Sequence, residues 1–339
     1  MSAQTGAALA LPGLRGAYAP GADESASGSQ LAAARWLASR GRRIDAGDRA
    51  APVDWRAWLL AQYGPGADLL RRHPAGVAVR TLATGRVPVG CWGCAEPVHL
   101  LTDLDRLRLA PGAKLALTEE EAGVLGASLN AVLDGSGFVL HPAVRGPWSV
   151  ECRDPIECST TDPALLGGSD IRELLPAGRD GARVRWLMNE LQVALHEHPM
   201  NQRRMDRGTP PVNSLWPWGF GVHAAGEATS LPILATDDDW LRGAWRLNGA
   251  EARPLAEAAA VLADRESPVA LLAASGIDED PPDQLARWEA QACRPVAAAL
   301  RRGQLGEARL LLGDTAYHVR AATRFAAWRR PREWMDLLS

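Results

Sequence analysis

The sequence predicts a mixed α/β fold with a mainly parallel sheet, and a smaller α+β region in the N-terminal half. In the C-terminal half, apolar segments of strand length alternate with helical segments, as in βαβ units. The N-terminal half instead contains strand pairs joined by Pro/Gly turns. With 339 residues, 47% hydrophobic and 23% charged, the chain is long enough to bury a sizeable core. We predict three regions: strand and flexible loop in 1–30, α+β in 31–181, and α/β in 182–339.

The N-terminal elements follow from their end signals. The apolar run 7–14 predicts a strand ended by Pro-Gly, and the Gly/Ser/Ala-rich stretch 15–30 predicts a mobile loop. Thr118 before three Glu predicts the start of a helix, because a hydroxyl caps the first turn and acidic residues favour its positive end. The predicted helices here are 31–43, 54–64 and 117–137. The predicted strands are 76–85, part of 96–111, and a pair within 137–153.

Residues 182–198 predict the strongest helix of the chain. Leu187, Leu191 and Leu195 recur on one face, and Gln192 falls on the opposite face, where a solvated side chain is expected. Pro199 then moves His198 out of helical geometry. The elements predicted after it are a polar loop, an extended segment from 210, strands at 229–236 and 268–275, and helices at 237–250 and 282–303. The segments 307–314 and 317–325 are predicted as two strands, or as a strand and the start of a helix.

The segment 196–221, HEHPMNQRRMDRGTPPVNSLWPWGFG, is unusually rich in planar hydrogen-bonding groups. Asn amides both donate and accept, and the Arg fork suits carboxylate or phosphate. Asn201, Arg204, Asn213 and Ser214 therefore predict a binding site for an anion or a phosphorylated small molecule. A polar loop whose Asn and Arg only tie down the backbone explains the same composition, and this alternative stays open.

The remaining candidates extend that predicted ligand site. Gly219 and Gly221 permit close backbone approach, and Trp216 and Trp218 are expected to wall the pocket. His198 is a candidate anion donor or acid/base group. Asn189 is expected to brace the loop from the helix.

Five Cys include the C-x-x-C pair Cys91 and Cys94, which Cys152 and Cys158 could complete as a four-ligand zinc set. The spacing between Cys152 and Cys158 is long for a zinc knuckle, and the C-x-x-C precedes a strand rather than a helix. Buried or incidental thiols are the favoured interpretation.

Composition also restricts partners. No apolar run approaches the ~20 residues of a membrane span, and free thiols without an export signal favour the cytoplasm. The net charge of −3 gives no global attraction to nucleic acid. The Arg/aromatic stretch 325–334 offers a stacking pattern for single strands, but a solvated helix is expected more often.

Residues 187–221, together with 96–109 and 325–334, closely resemble the RpfE-type regulatory protein family, which is often named cofactor-independent phosphoglycerate mutase. The resemblance runs over most of the chain. The matched positions in the block are Asn189, Glu190, Gln192, His196, His198, Pro199, Asn201, Arg204, Gly208, Pro211, Val212, Asn213, Ser214, Leu215, Trp216, Trp218, Gly219 and Gly221.

The block is also similar to archaeal-type cofactor-independent phosphoglycerate mutases. That resemblance implies an alkaline-phosphatase-superfamily fold, in degenerate form here, with two divalent metals held by Asp and His and a Ser nucleophile near the first strand. The first predicted strand, 7–14, has no Asp, and 274–282 has no His. Near the last strand, Thr315 follows Asp314, so Asp314 and His318 are only weak metal-ligand candidates.

These departures favour a phosphoglycerate-mutase-like protein without the two-metal chemistry. We expect a regulatory or ligand-binding protein that takes a small anionic or phosphorylated molecule, or a regulatory protein partner. No cofactor is predicted for this reading. The alternative is an active mutase or related phosphotransferase, which would use Mn²⁺ or Mg²⁺.

Overall fold

A computed structural model describes residues 4–12, 31–46, 53–63, 66, 68–103, 106–109, 115, 117–166, 170–226, 230–264, 267–274, 281–325 and 337. The chain divides into two compact units. Unit 1 comprises 1–69, 228–241 and 248–339, and unit 2 comprises 70–227 and 242–247. The predicted boundary at 181/182 falls inside unit 2, so the signature block lies with the N-terminal strand pairs rather than with the large sheet.

Unit 1 is built on a six-stranded sheet. Four neighbouring strands, from the centre to one edge, are parallel, as predicted for the C-terminal half. The N-terminal strand lies between two of the late strands, and two antiparallel strands complete the other edge. In spatial order the strands are Arg42–Ile44 (β2), Thr315–Arg320 (β12), Leu305–Leu312 (β11), Gln4–Leu11 (β1), Val269–Ala273 (β10) and Ile233–Thr236 (β9).

The centre of this sheet is apolar because β1 and β10 are buried on both faces. Ala7 to Leu11 are essentially inaccessible to solvent, as are Leu271 and Leu272. Continuous apolar runs are typical of strands that helices cover on both sides. The unit 1 helices are Ala32–Arg40 (α1), Trp55–Tyr63 (α2), Ala258–Ala263, Pro281–Trp288 and Arg294–Arg301, with a helix at Asp239–Leu247 shared with unit 2.

The long helix predicted over 282–303 contains a π-helical turn at Glu289–Cys293. Glu289 is buried, and its carboxylate accepts the backbone N–H groups of Ala33 at 2.8 Å and Ala34 at 3.4 Å. A carboxylate at a helix N-terminus satisfies unpaired donors and the positive end of the dipole. The irregular turn thus places the charge that caps α1.

Unit 2 centres on a four-stranded antiparallel sheet. Its strands in spatial order are Phe138–His141 (β6), Trp148–Cys152 (β7), Cys91–Val98 (β3) and Ser214–Val222 (β8), and a hairpin joins Leu100–Asp103 (β4) to Arg106–Leu109 (β5). Its helices are Asp68–Arg72 (α3, of which unit 2 includes the last three residues), Ala75–Thr84 (α4), Glu119–Val132 (α5), Gly181–His196 (α6) and Pro199–Asp206 (α7).

The capping prediction for α5 is confirmed. Thr118 Oγ1 accepts the Glu121 N–H, and the Glu121 carboxylate accepts the Thr118 N–H at 3.0 Å, which together form a capping box. Leu125 and Leu129 of α5 share a buried core with Leu187 and Leu191 of α6, which confirms the predicted stripe.

Two segment predictions were wrong. The segment 76–85, predicted as a strand, is helical as far as Thr84 in α4, and Gly76 lets this helix approach β3 closely. A Cβ at Gly76 would lie 2.4 Å from the Gly93 Cα. The polar loop predicted after His198 is the helix α7. The predicted loop 15–30, the stretch 275–280 and the Arg/aromatic residues 326–334 lie outside the described residues. Among the described helices, none combines the length and apolarity of a membrane span.

Candidate functional site

The signature block begins where α6 ends and His198 starts the next helix. Pro199 occupies the first position of α7, where its missing N–H costs nothing. His198 Nδ1 accepts the Met200 N–H at 3.2 Å, so the imidazole acts as the N-cap. The predicted break at Pro199 is therefore a turn between two helices.

Asn201 is buried, and its side chain forms three hydrogen bonds to the backbone. Its Nδ2 donates to the carbonyls of Leu195 at 2.8 Å and Val212 at 2.7 Å, and its Oδ1 accepts the Val212 N–H at 2.9 Å. These bonds tie the end of α6 to the segment that enters β8. The side chain is a tie within the fold, in line with the second of the two interpretations of the block.

Arg204 is buried and forms an ion pair. Its Nη1 lies 2.8 Å from Glu121 Oε2, and its Nε donates to the Pro210 carbonyl at 2.9 Å. Glu121 is the same residue that closes the capping box of α5. The guanidinium neutralises the Glu121 carboxylate. Through this ion pair and the bond to Pro210, Arg204 connects α7 to α5 and to the loop that follows α7. The sequence did not reveal its partner, which lies 83 positions away.

Asn213 pairs with the backbone of Leu100 in both directions. Its Oδ1 accepts the Leu100 N–H at 2.7 Å, and its Nδ2 donates to the Leu100 carbonyl at 2.9 Å. Its own N–H donates to Val98 O at 3.2 Å. The amide thus replaces one rung of the sheet where β3 ends and β4 begins.

Ser214 is fully buried and accepts a hydrogen bond from Gln192 Nε2 at 3.0 Å. The expectation that Gln192 is a solvated residue was wrong, because this half-buried amide reaches from α6 to β8. The pairing was visible in neither periodicity nor composition. It depends on how α6 packs on the sheet that contains β8.

The two Trp of the block are core residues of unit 2. Trp216 is inaccessible to solvent and donates from Nε1 to the Thr161 carbonyl at 2.8 Å, and Trp218 is almost as buried. Their indoles therefore pack inside unit 2 instead of walling an open pocket.

Gly219 and Gly221 permit close packing of the backbone, as predicted. The backbone packs against Ala75 and Pro74 of the same chain. A Cβ at Gly219 would lie 2.5 Å from the Ala75 Cβ, and Gly219 also has a positive φ of 64°. A Cβ at Gly221 would lie 2.4 Å from the Pro74 Cγ. Both glycines thus make room for the start of α4.

His198 is held as a neutral imidazole with a defined tautomer. Since Nδ1 accepts a backbone N–H, the ring proton lies on Nε2, which is 3.0 Å from Ser128 Oγ and donates to it. Burial and the charge of Arg203 lower the pKa of His198. A general base would need a free Nε2 lone pair toward Ser128, so this arrangement gives His198 a positioning role.

Asn189, by contrast, lies on the exposed face of α6. The ten predicted ligand residues therefore do not converge on one open cleft. Most of them lie along a continuous internal seam that joins α6, α7 and β8.

Asp314 and His318, the weak metal candidates, are not brought together. Asp314 lies in the turn between β11 and β12, while His318 pairs in register with Arg309, four residues beyond the turn. That separation along a strand is roughly 13 Å. His318 Nε2 instead lies 2.8 Å from Glu307 Oε2, and Tyr63 donates to the other Glu307 oxygen.

Open α/β sheets generally bind ligands at the carboxyl ends of their parallel strands. At that edge of the unit 1 sheet, Asp238 follows β9 and is buried. Arg56 donates two hydrogen bonds to its carboxylate, from Nη2 to Oδ2 at 2.6 Å and from Nε to Oδ1 at 3.1 Å. The same carboxylate caps the next helix by accepting the Leu241 N–H at 2.9 Å. Its charge is therefore compensated from within the protein.

The two-metal centre that the family resemblance implies does not fit the described residues. The central strand β1 ends in Leu11 and Pro12, which offer no ligand oxygen from a side chain. Asp237 accepts the Leu255 N–H at 3.2 Å, and Asp238 is paired with Arg56. Within the described ranges, no three His, Cys, Asp or Glu side chains are grouped so as to hold a metal ion.

The chain is similar in sequence to 2,3-bisphosphoglycerate-independent phosphoglycerate mutases. It is 27% identical over 210 residues to the 2,3-bisphosphoglycerate-independent phosphoglycerate mutase of Methanosarcina barkeri, a match that covers 61% of this chain and 49% of that protein. A probable mutase of the same name from Geobacter sulfurreducens is 27% identical over 198 residues, which are 54% of this chain and 49% of the relative. The homologues are therefore phosphoglycerate-mutase-like, at low identity.

A third relative, the mutase of Methanothrix thermoacetophila, is 30% identical over 152 residues, covering 44% of this chain and 38% of that protein. The chain spans about half the length of the curated relatives it matches. No family model matches it.

Among solved structures, the cofactor-independent phosphoglycerate mutase of Thermoplasma acidophilum aligns with a TM-score of 0.38 at 17% identity, over 93% of this chain and 89% of that one. A protein of Pyrococcus horikoshii aligns with a TM-score of 0.45 at 14% identity, over 94% and 88% of the two chains.

Proposed function

We propose that this chain is a phosphoglycerate-mutase-like protein that acts by binding rather than by the two-metal mutase reaction. The observation that carries the proposal is the buried Arg56–Asp238 pair at the carboxyl end of β9. The Asp238 carboxylate is already bonded to the Arg56 guanidinium and a helix N-terminus, so a divalent ion could bind it only by displacing these partners and leaving the buried Arg56 without its ion pair. The class of its curated relatives supports the mutase-like ancestry.

The proposed ligand is a small anionic or phosphorylated molecule, and the proposed role is regulatory, as in the RpfE-type proteins that the block resembles. A regulatory protein partner is the second form of the same proposal. Of the predicted ligand residues in the block, Asn189 is exposed on α6 and is the member that we propose contacts the ligand. Asn201, Arg204 and Asn213 would contribute by holding that surface in shape.

A thermal-shift experiment with 3-phosphoglycerate and inorganic phosphate, in buffer containing EDTA, tests this proposal. A ligand that binds the folded state stabilises it by about 2.7 kcal/mol at a hundred times its dissociation constant. We expect a midpoint increase that Asn189→Ala reduces and Val193→Ala, an exposed neighbour on the same helix, leaves unchanged. Equal shifts in all three proteins would contradict the assigned surface, and no shift with either compound would contradict the ligand class.

The alternative is an active mutase, which the names of the relatives favour. It requires a divalent ion held by the folded protein, so Mn²⁺ or Mg²⁺ alone would raise the thermal midpoint. On our proposal the midpoint in either ion equals the midpoint in EDTA. A saturable increase with Mn²⁺ would favour the enzyme.

A further inference from the structure

Two cysteines of unit 2 face each other across the antiparallel sheet. Cys91 is the first residue of β3, Cys152 is the last residue of β7, and the two are direct register partners. Directly opposed residues in such a pair have Cα atoms about 4.5 to 5.5 Å apart. A disulfide needs a separation of about 4.4 to 6.8 Å, so the backbone already has disulfide-compatible spacing.

The same register excludes the pairing that the C-x-x-C pattern suggests. Cys91 and Cys94 are three residues apart on one strand, and side chains at odd spacing point to opposite faces. Cys91 lies in the buried core that Cys152 shares, whereas Cys94 is opposite Ser149 and Trp218. The zinc set of four cysteines is likewise not assembled in this sheet.

The two thiols are chemically unequal. The hydrogen bond from the Cys152 thiol, with further backbone N–H groups of Ile156 and Gly221, lowers the pKa of Cys91 to about 7 against the effect of burial. The same interaction raises the pKa of Cys152. A thiolate is the form that attacks peroxides, and a neighbouring thiol is the form that resolves the product.

We propose that Cys91 and Cys152 form a peroxide-oxidised dithiol. In the first step the Cys91 thiolate attacks hydrogen peroxide, the O–O bond breaks, and with one proton the products are Cys91 sulfenic acid and water. In the second step the Cys152 sulfur attacks the Cys91 sulfur, the S–O bond breaks, and the disulfide forms with loss of a second water. Cysteine sulfur is oxidised in total by two electrons, and the peroxide is reduced by two.

The test is peptide mapping of the folded protein after treatment with hydrogen peroxide and alkylation of the remaining thiols. We expect a peptide pair joined through Cys91 and Cys152 in the wild type and in the matched control Cys94→Ser. In Cys152→Ser, the resolving thiol is missing, so Cys91 should stop at the sulfenic acid, which dimedone traps. Reduction with a dithiol should reverse the wild-type product.

Two results would overturn the proposal. One is a disulfide between Cys91 and Cys94, or none at all, in protein whose circular dichroism remains native during the reaction. The other is Cys91 oxidation that occurs only when urea has unfolded the chain, because the pair would then be inert in the native state. Near-ultraviolet circular dichroism of Cys91→Ser and Cys152→Ser separates loss of the reaction from loss of the fold.

Discussion

Two Asn of the signature block in unit 2 and two side-chain clusters in unit 1 differ in the partners of their hydrogen bonds. In unit 2, Asn201 and Asn213 bond to backbone groups of the chain. In unit 1, Arg56 bonds to the Asp238 side chain, and Glu307 bonds to the side chains of Tyr63 and His318. Backbone groups that leave a sheet or helix must find partners, and a side-chain amide supplies both a donor and an acceptor. A dense polar block in a sequence can therefore be the framework of a fold, while titratable clusters lie elsewhere.

The largest loss of stability is expected at Arg204. Arg204→Ala removes the close ion pair of the buried Glu121 and leaves the exposed Arg207, 3.9 Å away, as a weaker partner. We therefore expect a loss of about 3 kcal/mol in the free energy of unfolding, the lower end of the range for a broken buried pair. Arg203→Ala, at the exposed neighbouring position, should change stability by about 0.5 kcal/mol or less. Urea denaturation of the two variants measures the difference. Equal stabilities would show that Arg204 is not held as described.

Asn213 tests the use of an amide as a sheet rung. Asn213→Ala leaves the N–H and carbonyl of Leu100 without this partner, and we expect a loss of about 2 kcal/mol in the free energy of unfolding. Asn189→Ala removes an exposed amide from α6 and should be nearly neutral. Amide exchange at Leu100 should also become faster in Asn213→Ala. Unchanged protection there would contradict the assigned bond.

Glu307 provides a test of a side-chain cluster in unit 1. Although burial opposes it, the hydrogen bonds from Tyr63 and His318 lower the pKa of Glu307. A carboxyl group whose folded pKa is depressed stabilises the protein above its unfolded pKa of about 4.3, and this contribution is lost as the pH falls through the folded value. Glu307→Gln should cost about 1.5 kcal/mol at pH 7 and flatten the acid limb of the stability curve. An acid limb identical to that of wild type would rule out this linkage.

The smallest effect is expected at His198. Its folded pKa lies below the unfolded value of about 6.5, so the unfolded chain takes up the proton first and stability falls as the pH drops through this value. Protonation also removes the Nδ1 acceptor of the N-cap, worth about 1 kcal/mol. His198→Asn keeps a capping acceptor without a titrating ring. Between about pH 7.5 and about pH 5.5, one unit on either side of 6.5, the thermal midpoint of the wild type should fall more than that of His198→Asn. Parallel changes in the two proteins would contradict this role of the imidazole.

Much of the secondary structure could be predicted because its signals are local. Thr118 with Glu121, the stripe on α6 and the apolar β1 each depend on residues a few positions apart. The helix at 75–84 could not be read this way, because its sequence has strand character and the deciding contact, Gly76 on Gly93, is tertiary.

The candidate site was harder to predict than the fold. Composition identified Asn201, Arg204 and Asn213 as special, but it could not say whether their partners would be a ligand or the chain itself. Glu121 and Leu100, which decide the question, are 83 and 113 positions away in sequence. Only long-range packing brings such partners together.

We propose that this phosphoglycerate-mutase-like protein works without mutase chemistry. Conversion of 3-phosphoglycerate to 2-phosphoglycerate by the purified protein, measured with Mn²⁺ or Mg²⁺ and without 2,3-bisphosphoglycerate, tests it most directly. We expect no turnover above the rate in buffer alone with either ion. Metal-dependent turnover that EDTA abolishes would contradict it.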